Sequence, residues 1–145
     1  MEIYSIGFTQ KSASQFFDTL KRNAIERLLD VRLNNTSQLA GFAKQADLAY
    51  FLREICGAVY QHEPLLAPTQ QMLDRYRKQK GSWDNYAQEY LALIQSRRVE
   101  SVLTKDSFAR KTVLLCSEVT AENCHRRLAL EYLQKSWGEI NIKHL

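Results

Sequence analysis

Glycine and proline are scarce in this chain, five and two among 145 residues. That composition leaves little room for a loop-rich fold or a flexible linker. Long apolar runs are missing too, and none approaches the roughly 18 residues that a bilayer-spanning helix needs. The opening Met1-Glu2-Ile3-Tyr4-Ser5-Ile6 has neither the basic start nor the extended apolar stretch of a secretory leader. Together these absences predict a cytoplasmic protein with no membrane partner. Cysteine is limited to Cys56, Cys116 and Cys124, so reduced thiols are expected rather than a disulfide framework. There is no C-x-x-C, which excludes thioredoxin chemistry and a zinc ribbon. Neither G-x-G-x-x-G nor the Walker A pattern occurs, which removes the common nucleotide-binding loops. A Cys-x5-Arg loop of the phosphatase or rhodanese kind needs arginine at 62, 122 or 130, where His62, Glu122 and Leu130 stand. No resident metal or cofactor is expected.

What is present fits an ordinary globular domain, with 45% hydrophobic and 25% charged residues. The net charge is +4, and residues 71–111 carry nine Lys/Arg against five Asp/Glu, the whole excess. Strand-like and helix-like segments alternate along the chain. Ile3–Gly7, Ile25–Val31, Ala58–His62, Lys111–Cys116 and Ile140–His144 read as strands, and Val113-Leu114-Leu115 has the unbroken apolar character of a central parallel strand. Ser12 with Gln15 has capping-box spacing before a stripe of Phe16, Phe17 and Leu20. Asp47, Thr69 and Ser82 are placed to cap further helices, and Thr120 and Asn123 to open the last one. This order predicts an α/β fold: a single three-layer domain over residues 1–145, with a mostly parallel sheet of about five strands and helices on both faces.

In open α/β sheets ligands bind outside the carboxyl ends of the strands. Gly7 follows the first strand, Asp30 and Arg32 close the second with Asn34 just beyond, and Cys116, Ser117 and Glu118 leave the central one. Cys124, His125 and Arg126 fall where the last helix begins. A helix start flanked by arginine favours an anion. The expected site therefore has Asp30, Cys116, Glu118 and Cys124 as catalytic candidates, with Asp30 or Glu118 as general base and a cysteine as nucleophile. Gly7, Arg32, Asn34, Ser117, His125 and Arg126 are its substrate-binding candidates. Cys124, read as lying in the first helical turn beside His125 and Arg126, is expected to be the more reactive thiol. Plainer roles compete: Cys116 as a small buried hydrophobe, and Asp30 and Glu118 as ion-pair partners of Arg32 and Arg126. A metal held by Cys116, Cys124 and His125 is disfavoured, because adjacent Cys and His rarely ligate one ion together.

Asp30-Val31-Arg32 after one strand, Cys116-Ser117-Glu118 after a later one, and Cys124-His125-Arg126 six residues on resemble the domain of unknown function 488 family. Ile3-Tyr4-Ser5-Ile6-Gly7-Phe8-Thr9 and Ile142-Lys143-His144-Leu145 resemble its two ends, so the likeness runs through nearly the whole chain. It implies a bacterial or archaeal intracellular α/β protein of unassigned activity. Where the family often carries Pro-x-Ser-Arg, this chain reads Leu33-Asn34-Asn35-Thr36-Ser37-Gln38; where it often has Leu-Gly-Gly, this chain has Leu65-Leu66-Ala67-Pro68. That marks a distinct subgroup in which Asn34, Asn35, Ser37 and Gln38 would supply neutral hydrogen bonds in place of an arginine.

Two functions are expected from this reading. The first is an enzyme with an anion-binding pocket acting on a phosphate-bearing or nucleotide-like small ligand. The second is a non-catalytic nucleic-acid-binding domain using segment 71–111, with Arg75, Arg77, Lys78, Lys80, Arg97 and Arg98 on phosphates and Tyr76, Trp83 or Tyr86 as stacking surfaces.

Overall fold

Val113-Leu114-Leu115 lies in the middle strand of a five-stranded, all-parallel sheet in the computed structural model, which describes residues 1–118 and 120–145 and every side chain among them but those of Gln38 and Leu39. The strands are β1 (Glu2–Gly7), β2 (Arg27–Asp30), β3 (Val59–His62), β4 (Thr112–Cys116) and β5 (Asn141–His144), in the spatial order β3-β2-β4-β1-β5. Among the described residues six α-helices accompany them: α1 (Ala13–Arg22), α2 (Gln45–Phe51), α3 (Gln70–Arg77), α4 (Trp83–Ser96), α5 (Val99–Val102) and α6 (His125–Trp137). Among the described residues no helix is long and apolar enough to cross a membrane.

Side chains alternate across the pleat, so consecutive apolar residues feed opposite layers. Leu29, Leu114 and Cys116 join Leu73, Tyr86, Tyr90 and Leu128 in the core under α3, α4 and α6. Leu28, Val113 and Leu115 join Phe16, Phe17, Leu20 and Leu48 under α1 and α2 on the other face. That is why β4 needs no polar residue in its middle. The register sets Gly7 opposite Cys116 and Asp30 opposite Leu115, so β1, β2 and β4 end almost flush. The chain leaves β2 toward the α2 face and β4 toward the α6 face, and adjacent strands with diverging exits open a crevice at the carboxyl edge of an α/β sheet.

The expected strands form within one or two residues of their ends, and Ser12, Thr69 and Ser82 each cap a helix through a side-chain oxygen. Three helix starts or additions differ. Asp47 sits inside the first turn of α2, where it pairs with Lys44 at 3.4 Å, and the N-cap is Lys44. The α2 axis continues into one wide turn over Leu52–Cys56 before Gly57 takes the left-handed conformation that ends it. The last helix begins at His125, with Cys124 as its N-cap in extended conformation (φ −138°, ψ 139°), later than Thr120 or Asn123 would have placed it. Short α5 and a 3₁₀ turn at Lys105–Ala109 complete the long passage from α4 to β4.

Candidate active site

Two buried polar clusters occupy the carboxyl edge. The first grows from β2. Asp30 is fully buried, and its carboxylate accepts four hydrogen bonds. Oδ1 receives the Arg32 backbone N–H at 3.1 Å and Arg32 Nε at 2.8 Å; Oδ2 receives Arg32 Nη2 at 2.8 Å and the Tyr60 hydroxyl at 2.6 Å. A carboxylate offers about four lone-pair positions, so this one has none to spare. Arg32 also donates to the Ala43 carbonyl at 2.7 Å and lies over the Phe8 ring, 5.3 Å from its centroid. Asn35 Nδ2 donates to the Tyr60 hydroxyl at 3.2 Å, and His62 Nε2 donates to the Arg32 carbonyl at 3.0 Å. Burial and the neighbouring Asp30 carboxylate push the Tyr60 hydroxyl well above its ordinary range, which keeps it a donor.

The second cluster joins β4 to α6. Cys116, Cys124 and His125 are all buried, and one donor atom from each lies within 4.8 Å of the others. His125 Nε2 is 2.8 Å from the Val31 carbonyl, and a carbonyl can only accept, so Nε2 carries a proton. That leaves Nδ1 facing the Cys116 sulfur at 3.6 Å, nearer than Nε2 at 3.9 Å. Tyr90 packs on the imidazole with ring centroids 5.3 Å apart and holds its plane.

Arg126 threads between the strands. Its Nη1 donates to the Glu118 carbonyl at 3.0 Å and contacts Cys124 Sγ at 3.4 Å; its Nε donates to Ser5 Oγ at 3.2 Å. Ser5 Oγ in turn shares a hydrogen bond with His144 Nδ1 at 2.5 Å. The guanidinium is 1% exposed, and among the described residues no carboxylate pairs with it. A buried cation without a carboxylate calls for another anion, and the sulfur atoms are the groups beside it that can become one. Gly7 makes this approach feasible. A Cβ there would sit 1.6 Å from the Glu118 carbonyl oxygen and 3.2 Å from Arg126 Nη1, so the loop after β4 folds down only onto a glycine.

The two thiols are driven apart. The Cys124 thiol, donating to Cys116, holds the Cys116 thiol below the ordinary range against the opposing effect of burial, aided by the backbone N–H groups of Glu118 and Ser117 and by Arg126. Cys124 is pushed up, first by that same bond and then by burial. The order is the reverse of the expected one. Cys124 caps the helix instead of lying in its first turn, and the backbone cradle forms around Cys116. Arg126 touches Cys124 directly and His125 acts to lower it, but the bond between the two sulfurs and burial outweigh both. The three donors could hold a soft cation, yet the fixed charge of Arg126 against Cys124 opposes one.

Arg32, Asn34, Ser117, Arg77, Cys116 and His125 line a small cleft of about 40 Å³ over the sulfur. A second space of about 10 Å³, bordered by Arg77, Glu118, Asn123 and Cys124, touches Cys116 from the other side. Thus Arg32, Asn34, Cys116, Ser117 and His125 come together, while Asp30, Arg126 and Gly7 lie behind the surface that a ligand would meet. Glu118 turns its carboxylate outward to Arg77 Nη2 at 3.3 Å. Of the polar loop after Arg32, Asn35 is committed to Tyr60, and the side chain of Gln38 lies outside the described residues. Sequence reasoning missed Ser5 and Tyr60. Tyr60 was recoverable once the register was known, because β3 pairs Leu28 with Tyr60 and Asp30 with His62, which sets Tyr60 on the face of Asp30.

In the basic segment, Arg75 is paired with Glu89 at 2.5 Å, Lys78 with Asp74 at 3.4 Å, and Arg97 donates to the carbonyls of Pro64, Leu65 and Ala67. Tyr76, Trp83 and Tyr86 pack on one another, with centroids 4.9 to 5.9 Å apart.

No curated protein and no solved structure matches this chain. The model of one family does match, over residues 12–133, which takes in Asp30, Arg32, Tyr60, Cys116, Cys124, His125 and Arg126 but not Ser5, Gly7 or Phe8. The chain belongs to the family described as domain of unknown function DUF488.

Proposed function

We propose that the protein is an enzyme whose nucleophile is the Cys116 thiolate, with His125 as its acid–base partner, acting on a small phosphate-bearing or nucleotide-like substrate. The observation that carries this reading is the Cys116 Sγ to His125 Nδ1 approach of 3.6 Å with Nε2 locked on the Val31 carbonyl at 2.8 Å. A thiol beside a base that a third group orients is the arrangement nucleophilic catalysis requires. The thiol proton passes to Nδ1. The sulfur lone pair then forms a bond to the electrophilic centre, the leaving group departs with the electrons of the bond that breaks, and Nδ1–H supplies its proton. Water releases the covalent intermediate by the reverse proton path. Arg126 balances the thiolate charge from behind, and Asp30 holds Arg32 and the β2 loop in place, a positioning role. Cys124 donates its S–H to the nucleophile.

Nucleic-acid binding has less support from the same geometry, because the segment's arginines are largely engaged by carboxylates and carbonyls and its aromatic rings by each other.

Alkylation with iodoacetamide across a pH series, read by mass spectrometry, tests the proposal. A thiol with a lowered pKa gains its thiolate at lower pH, so labelling of Cys116 should rise and level off below the ordinary thiol range. Cys56, whose thiol burial pushes up, should label only at higher pH. His125→Gln should move the Cys116 profile upward. Slower labelling of Cys116 than of Cys124 would rule the assignment out.

A further inference from the structure

We infer that Arg77, at the end of α3, is the residue that captures the substrate's anionic group, and that the Glu118 carboxylate stands in its place until substrate arrives. The inference rests on the nucleophile reading above and identifies the substrate's handle as a compact oxyanion. Three arginines lie around the two sulfurs and the cleft, and their bonding separates them. Arg32 commits Nε and Nη2 to Asp30 and the Ala43 carbonyl, and Arg126 commits Nε and Nη1 to Ser5, the Glu118 carbonyl and Cys124. Both are almost wholly buried, so an anion arriving from solvent meets little of either.

Arg77 differs in each respect. It borders both spaces that touch Cys116, its side chain is 52% exposed, and its one ion-pair partner is a carboxylate that is itself 45% exposed. An exposed pair of this kind contributes little, so exchanging Glu118 for a substrate carboxylate or phosphate oxygen costs little. Glu118 follows Cys116 by two residues, and its backbone N–H belongs to the cradle of the thiolate. The carboxylate is thus tied to the nucleophile's own loop, and Glu118 borders one of the two spaces at Cys116. The pair also explains why a basic residue outside the strand-end motifs reaches the site: α3 packs against this edge through Leu73, which lines the same two spaces.

Two alkylating agents that differ in charge separate this inference from the one beneath it. Iodoacetate carries a carboxylate beside the carbon that sulfur attacks; iodoacetamide carries a neutral amide. Both consume the same thiolate, so the ratio of their rates at Cys116 cancels any change in its population. Arg77→Gln should lower the iodoacetate-to-iodoacetamide ratio roughly tenfold, the order expected for one unit charge a few ångströms away in a partly exposed site. Arg77→Lys should retain part of the preference, and Glu118→Gln should raise the ratio by about two- to threefold. Labelling of Cys116 with the same ratio in the parent and Arg77→Gln would overturn the role of Arg77 and leave the nucleophile intact. Failure of either reagent to label Cys116 would instead overturn the nucleophile. Arg77 is then decided by NMR, titrating inorganic phosphate while following the arginine Nε–Hε resonances. A saturable shift at Arg77, tighter in Glu118→Gln, supports the anchor. No shift there, or a shift confined to Arg32 or Arg126, refutes it.

Discussion

The clusters around Asp30 and around Cys116 lie side by side at one sheet edge and are both buried, yet they are built on opposite plans. At Asp30 every acceptor has a donor: Arg32 closes on it with two side-chain bonds and one from the backbone, and Tyr60 takes the last position. Positive and negative charge cancel within a few ångströms. At Cys116 a buried arginine lacks a carboxylate, an imidazole nitrogen faces a sulfur, and a cleft reaches that sulfur from outside. One cluster has completed its bonding inside the protein. The other has a charge left to balance and a thiol with which to do it. Polar burial alone therefore does not mark an active site; incomplete pairing beside an opening does.

The largest effect should come from opening the closed cluster. Asp30→Ala strands the Arg32 guanidinium without its carboxylate, and removal of one partner from a buried pair costs about 3–5 kcal/mol. Urea unfolding should register that loss. A change within about 1 kcal/mol, the range of exposed pairs, would mean that the cluster does not hold β2 to its loop, and the contrast drawn above would fail.

Tyr60→Phe should come next. It deletes the 2.6 Å bond to Asp30 and leaves one carboxylate lone pair unmet in a buried setting, while Asn35 loses its acceptor. Hydrogen bonds to charged groups are worth about 1.5–3 kcal/mol, and the same unfolding measurement should fall in that range. A double mutant with Asp30→Ala should lose less than the sum of the two, since the partners share one network.

The sequence makes the placement of these clusters readable and their bonding unreadable. Strand alternation, the unbroken Val113-Leu114-Leu115 and the order of elements set Asp30, Arg32, Cys116, Ser117 and Glu118 at one edge, because a parallel sheet flanked by helices brings the residues after its central strands together. Which groups satisfy one another depends on side-chain direction across the pleat and on loop paths that leave no periodic trace. Arg32 and Arg126 read equally well as anion binders, and both turn inward. Arg77 reads as part of a basic helix face, and it reaches the cleft because α3 packs where it does. Cys124 shifts from first turn to cap by a single residue, and its bond to Cys116, which lowers one thiol and raises the other, leaves no periodic trace either.

The smallest stability effect should follow Cys116→Ala, although it removes the atom at the centre of the site. The substitution deletes one sulfur from a position 2% exposed, and a loss of that size from a core costs about 1 kcal/mol in transfer and cavity energy. Its neighbours keep their other bonds. His125 Nε2 still donates to the Val31 carbonyl, Arg126 still donates to Ser5 and the Glu118 carbonyl, and Cys124 becomes a neutral thiol in contact with a methyl group. No charge is stranded, because the thiolate leaves together with the proton equilibrium that formed it. Arg126 does lose a nearby anion. That opposing effect is limited by the bonds the guanidinium retains to Ser5 and the Glu118 carbonyl. Urea unfolding of Cys116→Ala should therefore show a loss several-fold smaller than that of Asp30→Ala. A Cys116→Ala protein destabilised as severely as Asp30→Ala would place both clusters in the same structural class, and the case for chemistry at the second would have to be given up.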